Sequence, residues 1–278
     1  MGLLSYKDFN KIYTASVKDI LTFWSSEMQE EISKHNYGWS SNRFNFPIYL
    51  SASSIRYYRV YRQIHKTGAK NICDIGGFLG AFPLTLLRLK YEVTVTETFH
   101  YYNNCFQGLF HFLQEQGVEL YDFDPFSASP LPPNHGKFDF VSLLAIVEHY
   151  PHSLRRFMNN IISLLAPNGK VYIEVPNIAF LPKRIDLLLG KSPLAPLNDI
   201  FVSEIPFTGH HHEFTIYELR EFIQLSGLSI IHEELFNYTP GQVMSLKGII
   251  RNPLKFLIYA LIKDTREVCH CLCQRVKT

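Results

Sequence analysis

The sequence predicts an α/β protein. It should have a mostly parallel seven-stranded sheet with helices on both faces, preceded by a helical N-terminal extension. Three observations predict this. From residue 70 onward, short runs rich in Val and Ile alternate with helical patterns. The run Phe138 to Leu144 is nearly all apolar, as strands covered on both faces are. A glycine loop separates the first strand from the helix that follows it, where open α/β sheets bind ligands.

The elements follow in order. Ile12, Val17, Ile20, Leu21, Phe23, Trp24 and Met28 repeat with a loose helical period. A turn-rich aromatic stretch spans Asn36 to Pro47, with Tyr37, Trp39, Phe44 and Phe46. Ser51 to His65 reads as a second helix, capped by Ser53 or Ser54 and ended by Gly68. Strands are expected at Asn71–Ile75, Tyr91–Thr96, Val118–Tyr121, Phe138–Leu144, Lys170–Val175, Leu228–Leu235 and Glu267–Val276. Helices are expected at Phe82–Leu89, His100–Gln116 and His152–Leu165, the last capped by Ser153. Thr215 and Glu218 have the spacing of a capping box, which starts a helix that runs to Ser226. Pro253 to Ile262 is a further helix; the stretch Gly248 to Lys263 can pack on the sheet, on a partner subunit or against a membrane surface, and its Pro253 start and short apolar face favour the protein itself. The chain thus divides into an extension, 1–66, and one α/β domain, 67–278, with an insertion at 178–214.

Composition narrows the function. With 278 residues and 46% hydrophobic content, the chain can bury a full core. A net charge of +2 without a basic stripe argues against a nucleic-acid partner. No apolar run approaches the roughly 20 residues of a membrane span. There is no charged start followed by an apolar segment, so a cytoplasmic location is expected. The five cysteines then read as reduced thiols. Cys269, Cys271 and Cys273 alternate along a strand and belong on one buried face rather than around a metal.

The residues with chemical potential start at Asp74-Ile75-Gly76-Gly77-Phe78-Leu79-Gly80. A dinucleotide fingerprint needs a second glycine where Phe78 stands, to make room for a pyrophosphate. The loop opens instead with an acid, Asp74, which suits a ligand carrying an amine. Glu97 ends the second strand, about 20 residues later, where an acid can accept from ribose hydroxyls. Asp122 follows the third strand and can meet an adenine amine. Asp124 is its rival, and the segment can equally be a plain turn.

Taken together, these motifs resemble the class I methyltransferases. The resemblance rests on the glycine loop, on Glu97 and on Asp122-Phe123-Asp124. It rests also on Phe138-Asp139-Phe140-Val141 followed by Ile146-Val147-Glu148-His149. Leu164 to Lys170 and Gly209-His210-His211-His212-Glu213-Phe214-Thr215 extend the likeness over roughly residues 68 to 236. More narrowly, the chain resembles the small-molecule and glycan methyltransferases with a Glu-His pair after the fourth strand. The resemblance implies a Rossmann-like fold and S-adenosylmethionine as cofactor. It implies that Asp74, Gly76, Gly77 and Gly80 hold the methionine part, Glu97 the ribose, Asp122 and Phe123 the adenine, and that Leu144 lines the methyl side. Phe78 departs from the family's usual middle glycine.

The expected reaction is O-methylation of a small molecule or sugar. The protein must mainly align nucleophile, methyl carbon and sulfur, and a base speeds attack by a hydroxyl. His149 is the candidate base, since histidine titrates near neutral pH. Trp39, His210 and His212 are candidate acceptor contacts, with the extension capping the pocket. Successive residues such as His210 to Glu213 rarely converge on one ion, so no metal is expected. Two rival functions are a scaffold that keeps the fold without turnover, favoured by Phe78, and a nicotinamide oxidoreductase, disfavoured by the same residue.

Overall fold

The computed structural model describes residues 2–35, 45–127, 131–133, 135–150, 153–203, 207 and 209–276, without the side chains of residues 34, 35 and 78. Seven strands form one sheet: β1 (Asn71–Ile75), β2 (Glu92–Glu97), β3 (Glu119–Asp122), β4 (Phe138–Leu144), β5 (Leu165–Pro176), β6 (Leu228–Phe236) and β7 (Val268–Arg275). Their order across the sheet is β3-β2-β1-β4-β5-β7-β6. The pairs among β1 to β5 are parallel. β7 runs antiparallel to both its neighbours, so the sheet is mixed. The reason lies in the connection. Phe236 and Pro176, at the carboxyl ends of β6 and β5, both pair with Val268 at the start of β7. The chain leaves and re-enters the sheet at one edge, so its last strand must run backwards.

Helices cover both faces. Before β1 they are α1 (Tyr6–Leu21), α2 (Ser26–His35), α3 (Phe46–Ala52) and α4 (Ser54–Thr67). The remainder are α5 (Ala81–Arg88), α6 (Gln107–Gln116), α7 (Leu154–Leu164), α8 (Leu181–Leu188), α9 (Leu197–Val202), α10 (Ile216–Leu225), α11 (Leu246–Arg251) and α12 (Pro253–Leu261). Alternation along the strands sorts the core into two layers. Ile72, Phe140, Tyr172 and Leu272 join Phe9, Tyr13, Tyr61 and Leu84 on one face. Cys73, Val141, Ile173 and Cys271 join Phe157, Ile161, Leu219 and Ile223 on the other. The segment before β1 therefore supplies much of one layer through α1 and α4.

Several local expectations hold and others do not. The Thr215/Glu218 capping box forms in both directions. Cys269, Cys271 and Cys273 are buried in one core. The aromatic stretch ends in a helix, α3, because Asn45 accepts from the Ile48 amide at 3.0 Å and Pro47 suits the first turn. Phe46 packs on Trp24 at 4.3 Å between ring centres and is core, whereas Tyr37, Trp39 and Phe44 lie outside the described residues. Neither Ser53 nor Ser153 caps through its side chain. The Ser53 hydroxyl instead donates to the Tyr49 carbonyl at 2.8 Å. The helix expected from His100 begins only at Gln107, after two short 3-10 turns. Of the C-terminal helix α12, only Phe256 and Tyr259 are buried. Its apolar surface is therefore largely exposed rather than turned onto the protein.

Candidate active site

The carboxyl edge of β1, β2 and β4 brings together most of the residues singled out from sequence. After Ile75 the chain turns through Gly76, at φ 63°, whose amide donates to the Thr96 carbonyl at 2.8 Å. A Cβ at Gly76 would stand 2.4 Å from Ile146, and one at Gly80 2.5 Å from Leu113. Both are left-handed positions, so only glycine fits without strain. Gly77 lies against Val95. Leu79 and Ala145 also adopt positive φ, at 61° and 58°, although both carry a Cβ. Such strain costs on the order of 1–3 kcal/mol each and gathers where function needs a particular backbone. Here it marks the turns after β1 and β4, which pair side by side in the sheet.

Asp74 is buried at the centre of this edge and accepts a hydrogen bond from Ser142 of β4 at 2.5 Å. Burial pushes its pKa up to about 7, although Ser142 and, more distantly, Arg56 favour the ionised form. Glu97, at the end of β2, is nearly buried and accepts from the Tyr102 hydroxyl at 3.2 Å. Asp122 pairs in register with Glu97 and is exposed, accepting from the Phe99 amide at 3.2 Å. Asp124 takes the Phe126 amide at 2.9 Å and closes a turn. The Phe123 ring points into the core, while its amide donates to the Glu97 carbonyl at 3.0 Å. Leu144 is buried at the end of β4, in register with Glu174 of β5.

Beyond β4 a short turn, Val147–His149, meets the loop before α10. The Glu148 carbonyl accepts from the amides of His211 and His212 at 2.7 and 3.3 Å, which clamps the two segments together. The His149 and His210 rings meet edge to face at 4.7 Å. His210 Nδ1 lies 2.8 Å from Glu213, and Glu213 is also held by Lys183 of α8. Burial opposes a charged His210, but the bond to Glu213 and the charge of Glu148 outweigh it and raise its pKa. Glu148 is fully buried, and neither carboxyl oxygen has a hydrogen-bond partner among the described residues. Burial pushes it up to about 7, against the pull of His210. Glu148, His149 and His210 place one ligand atom each within 4.8 Å of one another. His212 instead reaches Glu218 at 3.5 Å and stands exposed, away from this group. Trp39 lies outside the described residues.

Two partners escaped the sequence. Arg56 of α4 is buried in an ion pair with Glu174 and donates to the Tyr49 hydroxyl at 2.7 Å. The signal was present as an acid inside the apolar run of β5, just as Ser142 interrupts β4. On the outer strands His232, Glu234 and His270 form a second group of possible ligands. There Arg59, ion-paired to Glu234, already supplies a cation.

These residues suit a cofactor with an ammonium group and ribose hydroxyls. Asp74 is a buried acid whose hydrogen bond comes from a hydroxyl, so a bound cation would relieve it. A pH dependence follows. The raised pKa means that folding favours protonated Asp74, so the ligand-free protein should lose stability as pH rises from about 4 through about 7. Asp74→Asn should remove this loss and gain roughly 2–4 kcal/mol near pH 8. It should also weaken cofactor binding by roughly 1.5–3 kcal/mol through the lost charged hydrogen bond. Denaturant melts across pH and calorimetry check both; a variant that matches the parent in each would remove Asp74 from the site.

Comparisons with known proteins agree with this geometry. Residues 53–233 match the family model for a methyltransferase domain. No curated protein sequence matches. Among solved structures, a SAM-dependent methyltransferase from Archaeoglobus fulgidus aligns with TM-score 0.50 and 16% identity, over 80% of this chain and 93% of that one. Magnesium protoporphyrin IX methyltransferase from Synechocystis PCC 6803, solved with S-adenosylhomocysteine, aligns with TM-score 0.52 and 12% identity, over 93% and 99%. 1,6-Didemethyltoxoflavin-N1-methyltransferase from Burkholderia thailandensis aligns with TM-score 0.51 and 11% identity, over 100% and 93%. At these identities the structures speak for the fold, and the family match, which spans well over half of the chain, speaks for the family. The chain belongs to the methyltransferase-domain family and is an S-adenosylmethionine-dependent methyltransferase.

Proposed function

We propose that the chain methylates an oxygen of a small molecule or a sugar, with His149 as general base. The observation that carries this reading is the position of His149. It ends the short turn after β4 and the strained Ala145, and meets His210 from the loop before α10. S-adenosylmethionine, when bound, supplies a methyl group on a sulfonium centre. The protein's own residues do the remainder. Asp74 and the Gly76–Gly80 turn hold the amino-acid end, Glu97 the ribose, and Asp122 with the Phe123 backbone the adenine side. A ring nitrogen of His149 takes the hydroxyl proton of the acceptor as oxygen attacks. His210, held by Glu213, which Lys183 also holds, contacts the acceptor next to His149. Trp39 and the extension close the pocket in this reading, and His212 stands at its rim.

The test begins with calorimetry of S-adenosylmethionine and S-adenosylhomocysteine, followed by methyl transfer to a panel of phenols and sugars. Product with a new O-methyl group supports the reading; transfer only to nitrogen or carbon overturns it. Glu97→Ala should weaken cofactor binding by roughly 1.5–3 kcal/mol, since it removes a carboxylate from the ribose position. Unchanged affinity would take Glu97 out of the site.

A further inference from the structure

The edge of the sheet that carries the site also carries an apolar surface which nothing among the described residues covers. Two segments build it, α8–α9 after β5 and α11–α12 between β6 and β7. Leu188 and Phe201 are 84% and 86% exposed, and Leu197, Leu246, Ile250 and Leu261 stand out beside them. The two segments are neighbours. Phe180, just before α8, stacks on Tyr259 of α12 at 6.3 Å, and Asn177 donates to the Asp264 and Arg266 carbonyls at 2.8 and 2.7 Å. A cleft between α11 and α12 is lined by Met244, Ile249, Pro253, Leu254, Phe256 and Leu257, all apolar. An exposed apolar surface of this kind marks an interaction site.

Charge decides the partner. Residues 240–263 contain Lys247, Arg251, Lys255 and Lys263 and no acid. Residues 180–203 add Lys183, Arg184 and Lys191 against Asp186 and Asp199. Lys183 is taken up by Glu213, but Lys191, Lys247, Arg251 and Lys263 are exposed around the apolar residues. Short amphipathic helices with protruding Leu, Ile and Phe and a basic rim lie in the interface of an anionic bilayer. No helix among the described residues is long and apolar enough to cross one. We infer that α8–α9 and α11–α12 form a docking surface for an anionic phospholipid membrane, on which the protein lies with the carboxyl edge of its sheet at headgroup level. This inference does not rest on the identity of the acceptor.

Flotation of the full chain with lipid vesicles tests it. The protein should float with phosphatidylcholine–phosphatidylglycerol vesicles, far less with phosphatidylcholine alone, and less as salt rises. Leu188→Glu with Phe201→Glu should lower binding about tenfold or more, because each places a charge among the acyl chains. Lys247→Ala with Arg251→Ala should lower it about fivefold per residue and reduce the anionic preference. Cofactor affinity should stay at the parent value in both double variants, which shows that they fold and separates this result from the fate of the acceptor reading. Absence of flotation with anionic vesicles overturns the inference, as does equal flotation of parent and variants. Sedimentation that shows a dimer, dissociated by Leu188→Glu with Phe201→Glu and without vesicle binding, overturns it in favour of a second copy on this surface.

Discussion

Replacing His149 by Ala is expected to lower turnover about 100- to 10,000-fold, the usual range for loss of a general base, while cofactor affinity changes little. The asymmetry follows from where the residue stands. His149 meets His210 and Glu148 in the turn after β4, while Asp74 and Glu97 sit on β1 and β2. Glu148 adds a pH signature. Burial pushes it up to about 7, so it is largely protonated below that and ionised above it. An ionised Glu148 raises the basicity of His210, which meets His149, so turnover should rise with pH through about 7. Glu148→Gln should remove that limb while retaining a hydrogen-bonding side chain in the same space. Single-turnover methyl transfer measured across pH separates chemistry from product release. If His149→Ala turns over like the parent, the base lies elsewhere. If Glu148→Gln keeps the parent profile, Glu148 only shapes the turn.

The fold was legible in the sequence where local pattern and global position agree. The β1 and β4 boundaries match residue for residue, because an apolar run bounded by polar residues admits one reading. The direction of β7 was not legible, since an antiparallel strand covered on both faces has the same composition as a parallel one. Its reversal depends on where α12 delivers the chain. The candidate site was legible through order and spacing: the glycine turn, Glu97 and Glu148-His149 lie toward one edge because each ends or follows one of three parallel strands. The contribution of His210 depends on a contact between segments about 60 residues apart, which spacing cannot show. The same holds for Arg56, whose partner Glu174 lies 118 residues away. Exposure of α8, α9, α11 and α12 was not decided by the sequence for a further reason. A helix with a narrow apolar face reads the same whether that face meets the protein or a bilayer.

Arg56→Leu is expected to destabilise the protein by roughly 3–5 kcal/mol, as breaking one side of a buried ion pair does. Arg56 and Glu174 are 3% and 1% exposed at their side chains. Arg56 lies 5.6 Å from the Tyr238 ring and donates to Tyr49, so its charge is well satisfied. Glu174 is not. Its second oxygen lacks a hydrogen-bond partner among the described residues, and burial raises its pKa despite Arg56. Removing the arginine leaves that acid to ionise alone in the core. The sign then sets the pH dependence. A folded pKa raised further above the usual carboxylate value gives stability that is present in acid and lost as pH rises, so the deficit of Arg56→Leu should shrink toward low pH. Arg56→Leu with Glu174→Leu should recover most of the loss, because an apolar pair of similar volume replaces the ion pair at little cost. Thermal and denaturant melts of the two single variants and the double variant decide the matter. Losses that simply add would mean that the two residues stabilise the protein independently. Recovery in the double variant with turnover still depressed would give the pair a second role. Glu174 pairs in register with Leu144, and its carbonyl accepts from Ala145. The ion pair would then fix α4 against the strand ends that position His149.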